Sequence, residues 1–400
     1  MWQDKLRPGN LIRQVGNALF FLLLLVLMVD PGNAILHLKD KVFVLFVGFN
    51  MVFFKPDFRY LAVIVPVFCV IFLCYLLAVM QENNVDYDFF LGIVKGFAPL
   101  VLLLWVRHYD VLRLARIPAV ITCLIILTLY SATVYSDEFR AALFMYSKKH
   151  NEMVMLTERY YLGFHVFGMY YRSIVSLMPV LCVFLFSTLN SKPLKLASLL
   201  CALLMAVCYL VSGTRAMFLT PFAIFGGMLY LNLMKRRKIK YLLYPLLVLC
   251  AVGFLILIYL LATQEGDLSN SIKYGHLTSY LELFDAHTEY LLLGQGPGTL
   301  FYSVGFGRMT AETEWTYIEL IRYFGIFSLI ILAVYLFPLT SLLKDISDEL
   351  SFSLGITYII FLLVGGTNPF LLNSQGMMIL WLFYSYMDRK KFQVFKEKEV

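Results

Sequence analysis

Charge is scarce in this chain. Only 15% of its 400 residues are Asp, Glu, Lys or Arg, against 60% hydrophobic, and the mean hydropathy is +0.77. A soluble globule needs a more polar surface than that, so lipid is the expected solvent and no large soluble domain fits. Metal and redox patterns are missing as well. The six histidines show no His-x-x-x-His spacing, and the seven cysteines, from Cys69 to Cys250, sit inside apolar runs without a Cys-x-x-Cys pair. They read as free thiols packed among helices, and neither metal nor cofactor is expected. Internal repeats, low-complexity tracts and linkers are lacking too, so residues 1–400 read as a single integral membrane domain. The net charge of +7 lies in short clusters such as Lys235, Arg236, Arg237 and Lys238, between apolar runs. That is a membrane-topology pattern and not a nucleic-acid footprint.

What the chain has in abundance is long hydrophobic runs. A crossing of the ~30 Å hydrocarbon core takes about 20 apolar residues, so this length holds roughly ten to thirteen spans. Runs at 16–30, 42–54, 60–80, 89–106, 117–135, 162–187, 194–211, 216–234, 241–262, 317–338, 351–366 and 371–387 make about 12 transmembrane helices. The fold class is an all-α polytopic membrane protein. Lys5, Arg7 and Arg13 precede the first run, but no clean small-residue cleavage site follows, so it reads as an uncleaved span.

Twelve spans put both termini on one side, and Arg389, Lys390, Lys391, Lys396 and Lys398 assign that side to the cytoplasm. Basic connections at 55–59, 107–116, 192–195 and 235–240, and around Lys344, fall on the same side. The acidic 81–88 loop and two longer segments, 136–161 and 263–316, fall opposite. Loops as long as the last one, in an otherwise tightly looped protein, are usually functional.

Three patches carry candidate chemistry, all on the outer side. Ser212-Gly213-Thr214-Arg215 is a polar interruption between two apolar runs; its guanidinium binds phosphate bidentately or merely snorkels to headgroups. The long loop follows, with Ser271-Ile272-Lys273-Tyr274-Gly275-His276, then a helical stretch that includes Tyr280, then Gly294-Gln295-Gly296-Pro297-Gly298. The glycine cluster lacks a Walker lysine and follows no strand, so it reads as a tight turn needing positive φ rather than a phosphate cradle. The third patch is Glu312-Thr313-Glu314-Trp315-Thr316-Tyr317. Glu314 is placed there as a general base or a helix cap. Glu319 and Arg322, three apart on the next helix, neutralise each other. Arg159 and Arg172 flank the start of the sixth run; a charge as deep as Arg172 is expected to face the bundle interior.

With the arginine turn, the long outer loop and the following helix in this order, the chain resembles the O-antigen polymerase and O-antigen ligase superfamily of bacterial envelope proteins. Ser212-Gly213-Thr214-Arg215 looks like that family's Ser-Gly-Ser/Thr-Arg turn, and Gly294-Gln295-Gly296-Pro297-Gly298 like its Gly-x-Gly-x-Gly segment. Family ligases carry a His-Asn-x-Tyr-Leu pattern; aligning on Tyr317 and Gly325 puts Glu314 and Trp315 in place of His-Asn, which leans toward a polymerase. The family's second arginine has Lys273 as its nearest counterpart.

The resemblance implies a metal-independent, type-C-like glycosyltransferase. It joins undecaprenyl-diphosphate-linked oligosaccharide repeat units on the periplasmic face of the bacterial inner membrane, with a chain-length regulator as an expected membrane partner. In that reading Arg215, Lys273, Arg159 and Arg172 bind the substrate diphosphate. Glu314, with Glu312 and His276 as alternatives, takes the acceptor proton, and Trp315, Tyr274 and Tyr317 stack on sugars. The alternatives are a ligase that moves finished glycan to lipid A-core, and a transporter of lipid-linked glycan. A transporter is expected to show repeated halves and broken spans near mid-membrane, a pattern the sequence lacks.

Overall fold

A backbone that crosses lipid must satisfy its own hydrogen-bonding groups, and the apolar runs of this chain do so by coiling into helices. The computed structural model describes residues 8–149, 153–161, 164–190, 195–234, 268–344 and 348–398. Among these, seven helical stretches are long and apolar enough to cross a membrane: Asn10–Val29, Phe58–Met80, Tyr87–His108, Val111–Tyr135, Arg172–Leu189, Thr316–Leu342 and Glu349–Gly366. The protein is therefore a mostly helical, polytopic membrane protein.

In chain order the first elements are α1 (Pro8–Val29), α2 (Lys39–Phe53), α3 (Leu61–Met80), α4 (Tyr87–Phe97, prolonged as a tighter helix to His108), α5 (Val111–Tyr135) and α6 (Asp137–Lys149). A hairpin of β1 (Val154–Tyr161) and β2 (Phe164–Tyr171) follows, then α7 (Met178–Asn190), α8 (Lys195–Val211) and α9 (Arg215–Met234). Beyond the gap lie α10 (Leu268–Ala286), the single turn α11 (Tyr290–Leu293), a small hairpin of β3 (Phe301–Ser303) and β4 (Arg308–Thr310), α12 (Thr316–Phe324), α13 (Ser328–Leu342), α14 (Glu349–Gly366) and α15 (Ser374–Lys398).

Against the expected twelve crossings, α2 and α8 are shorter helices of 15 and 17 residues. The expected span at 241–262 and the basic stretch 235–240 lie outside the described residues. The sixth run, 162–187, differs in kind: its first part is strand β2, and the helical crossing begins at Arg172. The sequence Phe164-His165-Val166-Phe167-Gly168-Met169-Tyr170-Tyr171 is apolar enough to extend a span, but its β-branched and aromatic residues suit a strand. It pairs antiparallel with β1, Thr157 opposite Gly168 and Val154 opposite Tyr171. The expected 136–161 loop is thus mostly ordered as α6 and β1, with residues 150–152 outside the described set.

Apolar side chains point both ways. Val44, Leu76, Leu329 and Leu363 face outward, where lipid is the natural neighbour. The first half of α15 is apolar all round and is buried accordingly: Met377 through Tyr384 are each at most 2% exposed. It packs along the tight-helix extension of α4. There Trp381 meets the Phe20 ring edge-on at 4.6 Å, and Phe20 lies 5.1 Å from Tyr109. The Tyr109 hydroxyl donates to Asn50 Oδ1 at 2.7 Å, whereas the buried Trp381 indole N–H has no hydrogen-bond partner among the described residues.

The bundle has two chemically different ends. At one, Arg59 and Arg107 pair with Asp57, Arg389 with Asp110 and Lys390 with Asp348, gathering four basic connections. At the other, reached by α5 over roughly 37 Å at about 1.5 Å per residue, the Tyr130 hydroxyl donates to Phe167 O of the β1–β2 hairpin. The 81–88 turn lies at that second end, with Asp86 N donating to Gly298 O.

The central burial of α15 gives a stability test. Trp381→Ala should cost ~3–5 kcal/mol through the cavity it leaves. Leu196→Ala, at a 70% exposed position, should stay within ~0.5 kcal/mol. Thermal unfolding in detergent followed by far-UV circular dichroism makes the comparison; equal losses would place α15 at the lipid boundary.

Candidate functional site

The site is built at the end of the bundle opposite the basic connections, starting from a backbone contact. Gly213 has a φ of 67°, and a side chain there would come within 2.7 Å of the Cα of Gly168 in β2 and 2.5 Å of Thr157 Oγ1 in β1. Only glycine lets the turn sit against the hairpin at that distance. Ser212 Oγ closes the turn by donating to Tyr209 O at 2.7 Å. Arg215 then opens α9 with its direction fixed, and its NH1 donates to Asn270 Oδ1 at 3.1 Å.

Asn270 lies in the first turn of α10, and Lys273 is one turn further along the same face. Lys273 Nζ is 3.3 Å from Glu314 Oε2; the two side chains are 29% and 38% exposed, so the pair is open to water. The Trp315 indole donates to Lys273 O at 3.1 Å and fixes the ring beside the pair. Arg215, Asn270, Lys273, Glu314 and Trp315, drawn from three distant segments, therefore form one continuous chain of contacts. Tyr170, at the end of β2, joins them electrostatically. Burial raises its pKa, Arg172 pulls it down and the Glu314 carboxylate pushes it up again, so the phenol stays protonated as a donor. Arg172 itself makes no side-chain hydrogen bond or ion pair among the described residues, and is half-buried at the start of its crossing.

Behind this polar surface sits a fully buried charge network. Arg322 and Glu319 are 2.7 Å apart, each wholly shielded from water, and so do neutralise each other. The guanidinium also donates to Gln295 Oε1 at 2.8 Å, Thr299 O at 3.0 Å and Ala311 O at 2.5 Å, and stacks 4.3 Å from the Phe301 ring centre. Glu319 accepts from Thr313 N at 2.8 Å and from the Tyr280 hydroxyl at 2.5 Å. One ion pair thereby clamps the glycine segment, the return from β4, the middle of α10 and the residue before Glu314.

The glycine segment is a set of tight turns: φ is 78° at Gly294, 104° at Gly296 and 86° at Gly298. A side chain at Gly296 would overlap Ala78 and come within 2.9 Å of Cys74 O on α3. The segment ties the 268–316 region to the bundle, and its positive φ angles are those of the tight turn expected from its glycines.

The remaining candidates are placed less centrally. His276 is completely buried; its Nδ1 is 2.8 Å from Ser303 Oγ, and its Nε2 has no hydrogen-bond partner. Burial depresses its pKa and Lys273 pushes the same way, opposed by Glu314 and Glu319, so the ring is held neutral. Glu312 has its backbone carbonyl held by Thr310 Oγ1 at 2.9 Å. The Tyr317 hydroxyl is committed to Leu362 O at 2.7 Å, and its ring lies against Gly366. Tyr274 is exposed on α10 one residue beyond Lys273. Arg159 is in β1 opposite Val166, and its side chain lies outside the described residues. Sequence reading missed Tyr170 and Asn270; the run Tyr170-Tyr171-Arg172 at a membrane edge was the available signal for the first, and nothing singled out the second.

No protein-family model, curated protein or solved structure matches the chain. Fold and site together define a polytopic helical membrane protein with cations, a carboxylate and aromatic rings assembled at one end of its bundle.

Two measurements probe this arrangement. Arg322→Ala leaves Glu319 buried and unpaired and should cost ~3–5 kcal/mol, whereas Lys273→Met at the open pair should cost at most ~1 kcal/mol. Thermal melts of the detergent-solubilised variants decide, and similar losses would mean that the buried network is not the anchor. His276 carries fewer protons folded than unfolded, so its contribution is complete above the ordinary histidine value of ~6.5 and is lost as pH falls below it. Wild-type stability should therefore drop between pH 7.5 and 5.5, and His276→Gln should flatten part of that slope.

Proposed function

We propose that this protein is a repeat-unit polymerase of bacterial surface polysaccharide, a metal-independent glycosyltransferase using undecaprenyl-diphosphate-linked oligosaccharide. In this reading both termini are cytoplasmic and the reaction takes place on the periplasmic face of the inner membrane. The observation that carries the reading is the continuous run from Arg215 through Asn270 to the Lys273–Glu314 pair, beside Trp315. Phosphate-binding cations, a carboxylate and an aromatic platform are what transfer from a diphosphate leaving group requires.

The acceptor hydroxyl attacks the anomeric carbon of the donor sugar and the carbon–oxygen bond to the diphosphate breaks, its electron pair leaving with the phosphate. Arg215 and Lys273 hold that growing charge, and Arg172, which acts on Tyr170 together with Glu314, adds to the positive field there. The hydroxyl proton passes to Glu314. Lys273 and Glu314 occupy each other, and an exposed pair of this kind is worth only ~0–1 kcal/mol. A bound diphosphate outcompetes the carboxylate for the lysine, which frees Glu314 to act as base. Trp315 stacks on a sugar face, with the exposed Tyr274 ring one residue beyond Lys273 and the Tyr317 hydroxyl tied to Leu362 O.

His276 supports a second reading. A buried imidazole with an unpartnered Nε2 near Glu314 suits a ligase that transfers finished glycan to a lipid core.

Complementation of a deletion strain tests these readings, with the surface glycan separated on a gel and the protein's membrane level checked by immunoblot. The deletion should leave lipid core bearing a single repeat unit. Wild type should restore the ladder, and Arg215→Ala and Glu314→Gln should not, with the activity of Glu314→Gln down ~10²-fold or more as for loss of a general base. A wild-type ladder from Arg215→Ala overturns the proposal. If the single-repeat band also disappears in the deletion, and His276→Gln is inactive while Glu314→Gln works, the protein is a ligase. Glycan movement into vesicles with no new glycosidic bond would identify a transporter.

A further inference from the structure

The opposite end of the bundle holds a cavity of about 310 Å³ that the proposed chemistry does not use. It lies where the starts of α5 and α14 meet α7 and the middle of α15, and Arg113, Arg116, Arg389 and Lys390 line it together with Asp110 and Asp348. The two carboxylates are already engaged, Asp110 by Arg389 at 2.6 Å and Asp348 by Lys390 at 3.0 Å. Four cations against two carboxylates leave two positive charges over, and they belong to Arg113 and Arg116. The Arg113 guanidinium is exposed and has no hydrogen bond or ion pair among the described residues. Arg116 reaches inward, 6.0 Å from the Phe184 ring centre, with a buried Nε that has no hydrogen-bond partner. A donor shielded from water with nothing to accept its hydrogen is costly unless a ligand completes it.

We infer that this cavity binds the phosphate headgroup of an anionic bilayer lipid. Two neighbouring guanidinium groups match phosphate oxygens in geometry and charge. The lipid source is favoured by the surroundings. Ile117, one turn from Arg113 on the same face of α5, is 60% exposed, so that face looks toward the membrane. Val183 and Leu350 line the cavity beside the charges and offer apolar surface to the first carbons of an acyl chain. Basic pockets between membrane helices are a recurrent setting for anionic headgroups. The volume, at the small end of the roughly 300–1,000 Å³ range of ligand cavities, suits a headgroup rather than a whole lipid.

Native mass spectrometry of the full-length protein released from detergent provides the test, with phosphatidylglycerol, phosphatidylcholine or inorganic phosphate added as probe. Wild type should retain one phosphatidylglycerol in preference to phosphatidylcholine. The Arg113→Gln/Arg116→Gln variant should retain roughly thirtyfold less, from about 1 kcal/mol of attraction lost per arginine. Arg113→Gln alone changes only an exposed, unpaired side chain and should show an intermediate loss, so a folding defect in the double variant does not decide the matter. Equal retention by wild type and Arg113→Gln, or equal retention of phosphatidylcholine, overturns the inference. Displacement of the lipid by millimolar inorganic phosphate also overturns it, because the site would then take soluble phosphate. A glycan ladder unchanged in Arg113→Gln separates this inference from the proposed polymerase, whose own failure would leave lipid retention unaffected.

Discussion

Arg322 and Glu319 are removed from water at the edge of an apolar bundle, where a single charge of either sign is prohibitive and a pair is tolerable only when every remaining donor and acceptor is matched. The long segment before α12 supplies those matches through Gln295, Thr299, Ala311, Thr313 and Tyr280. The dependence runs both ways. The loop cannot lift away without stranding a buried ion, and the ion pair cannot persist without the loop. A long connection that would otherwise cost much conformational entropy is thus held in one shape by an electrostatic requirement rather than by a large apolar core of its own.

That fixed loop brings a weakly held pair to the surface. Glu319 and Arg322 have no access to water, while Lys273 and Glu314, one residue beyond the Thr313 anchor, keep it. The contrast is one of solvent: the same two kinds of charge form a permanent brace where the dielectric is low and a displaceable contact where water competes. A site for an anionic substrate benefits from both, since its frame has to be rigid and its charges have to be available.

Much of the helical plan was legible as hydropathy, because runs such as 60–80 and 117–135 admit no soluble alternative. The 162–187 run was not, since a strand of aromatic and branched residues beside a membrane is as apolar as a helix, and only the pairing of Thr157 with Gly168 separates the two. The inward position of α15 was equally hidden: lipid and protein interior are both apolar, so composition cannot say which one surrounds Met377 to Tyr384. In the site, residue types pointed to Arg215, Lys273 and Glu314 one at a time, and the mutual neutralisation of Glu319 and Arg322 followed from helical spacing. The Lys273–Glu314 contact spans 41 positions of chain and Arg215–Asn270 spans 55, and no local pattern encodes either. Tyr170 was passed over because interfacial aromatic belts use the same residue.

The touching backbones of Gly168 and Gly213 give the two walls of the site unequal stiffness. On the hairpin side no side chain intervenes, so the contact has no rotamers through which to yield and transmits displacement like a hard stop. On the α10 side the first turns of the helix meet the arginine turn through the Arg215–Asn270 hydrogen bond and Glu314 through Lys273, both of which lengthen at small cost, while Tyr280 fixes the middle of the helix. A bulky ligand is therefore accommodated by flexing of the first turns of α10 about the Tyr280 anchor, with the arginine turn as the fixed jaw of a vice.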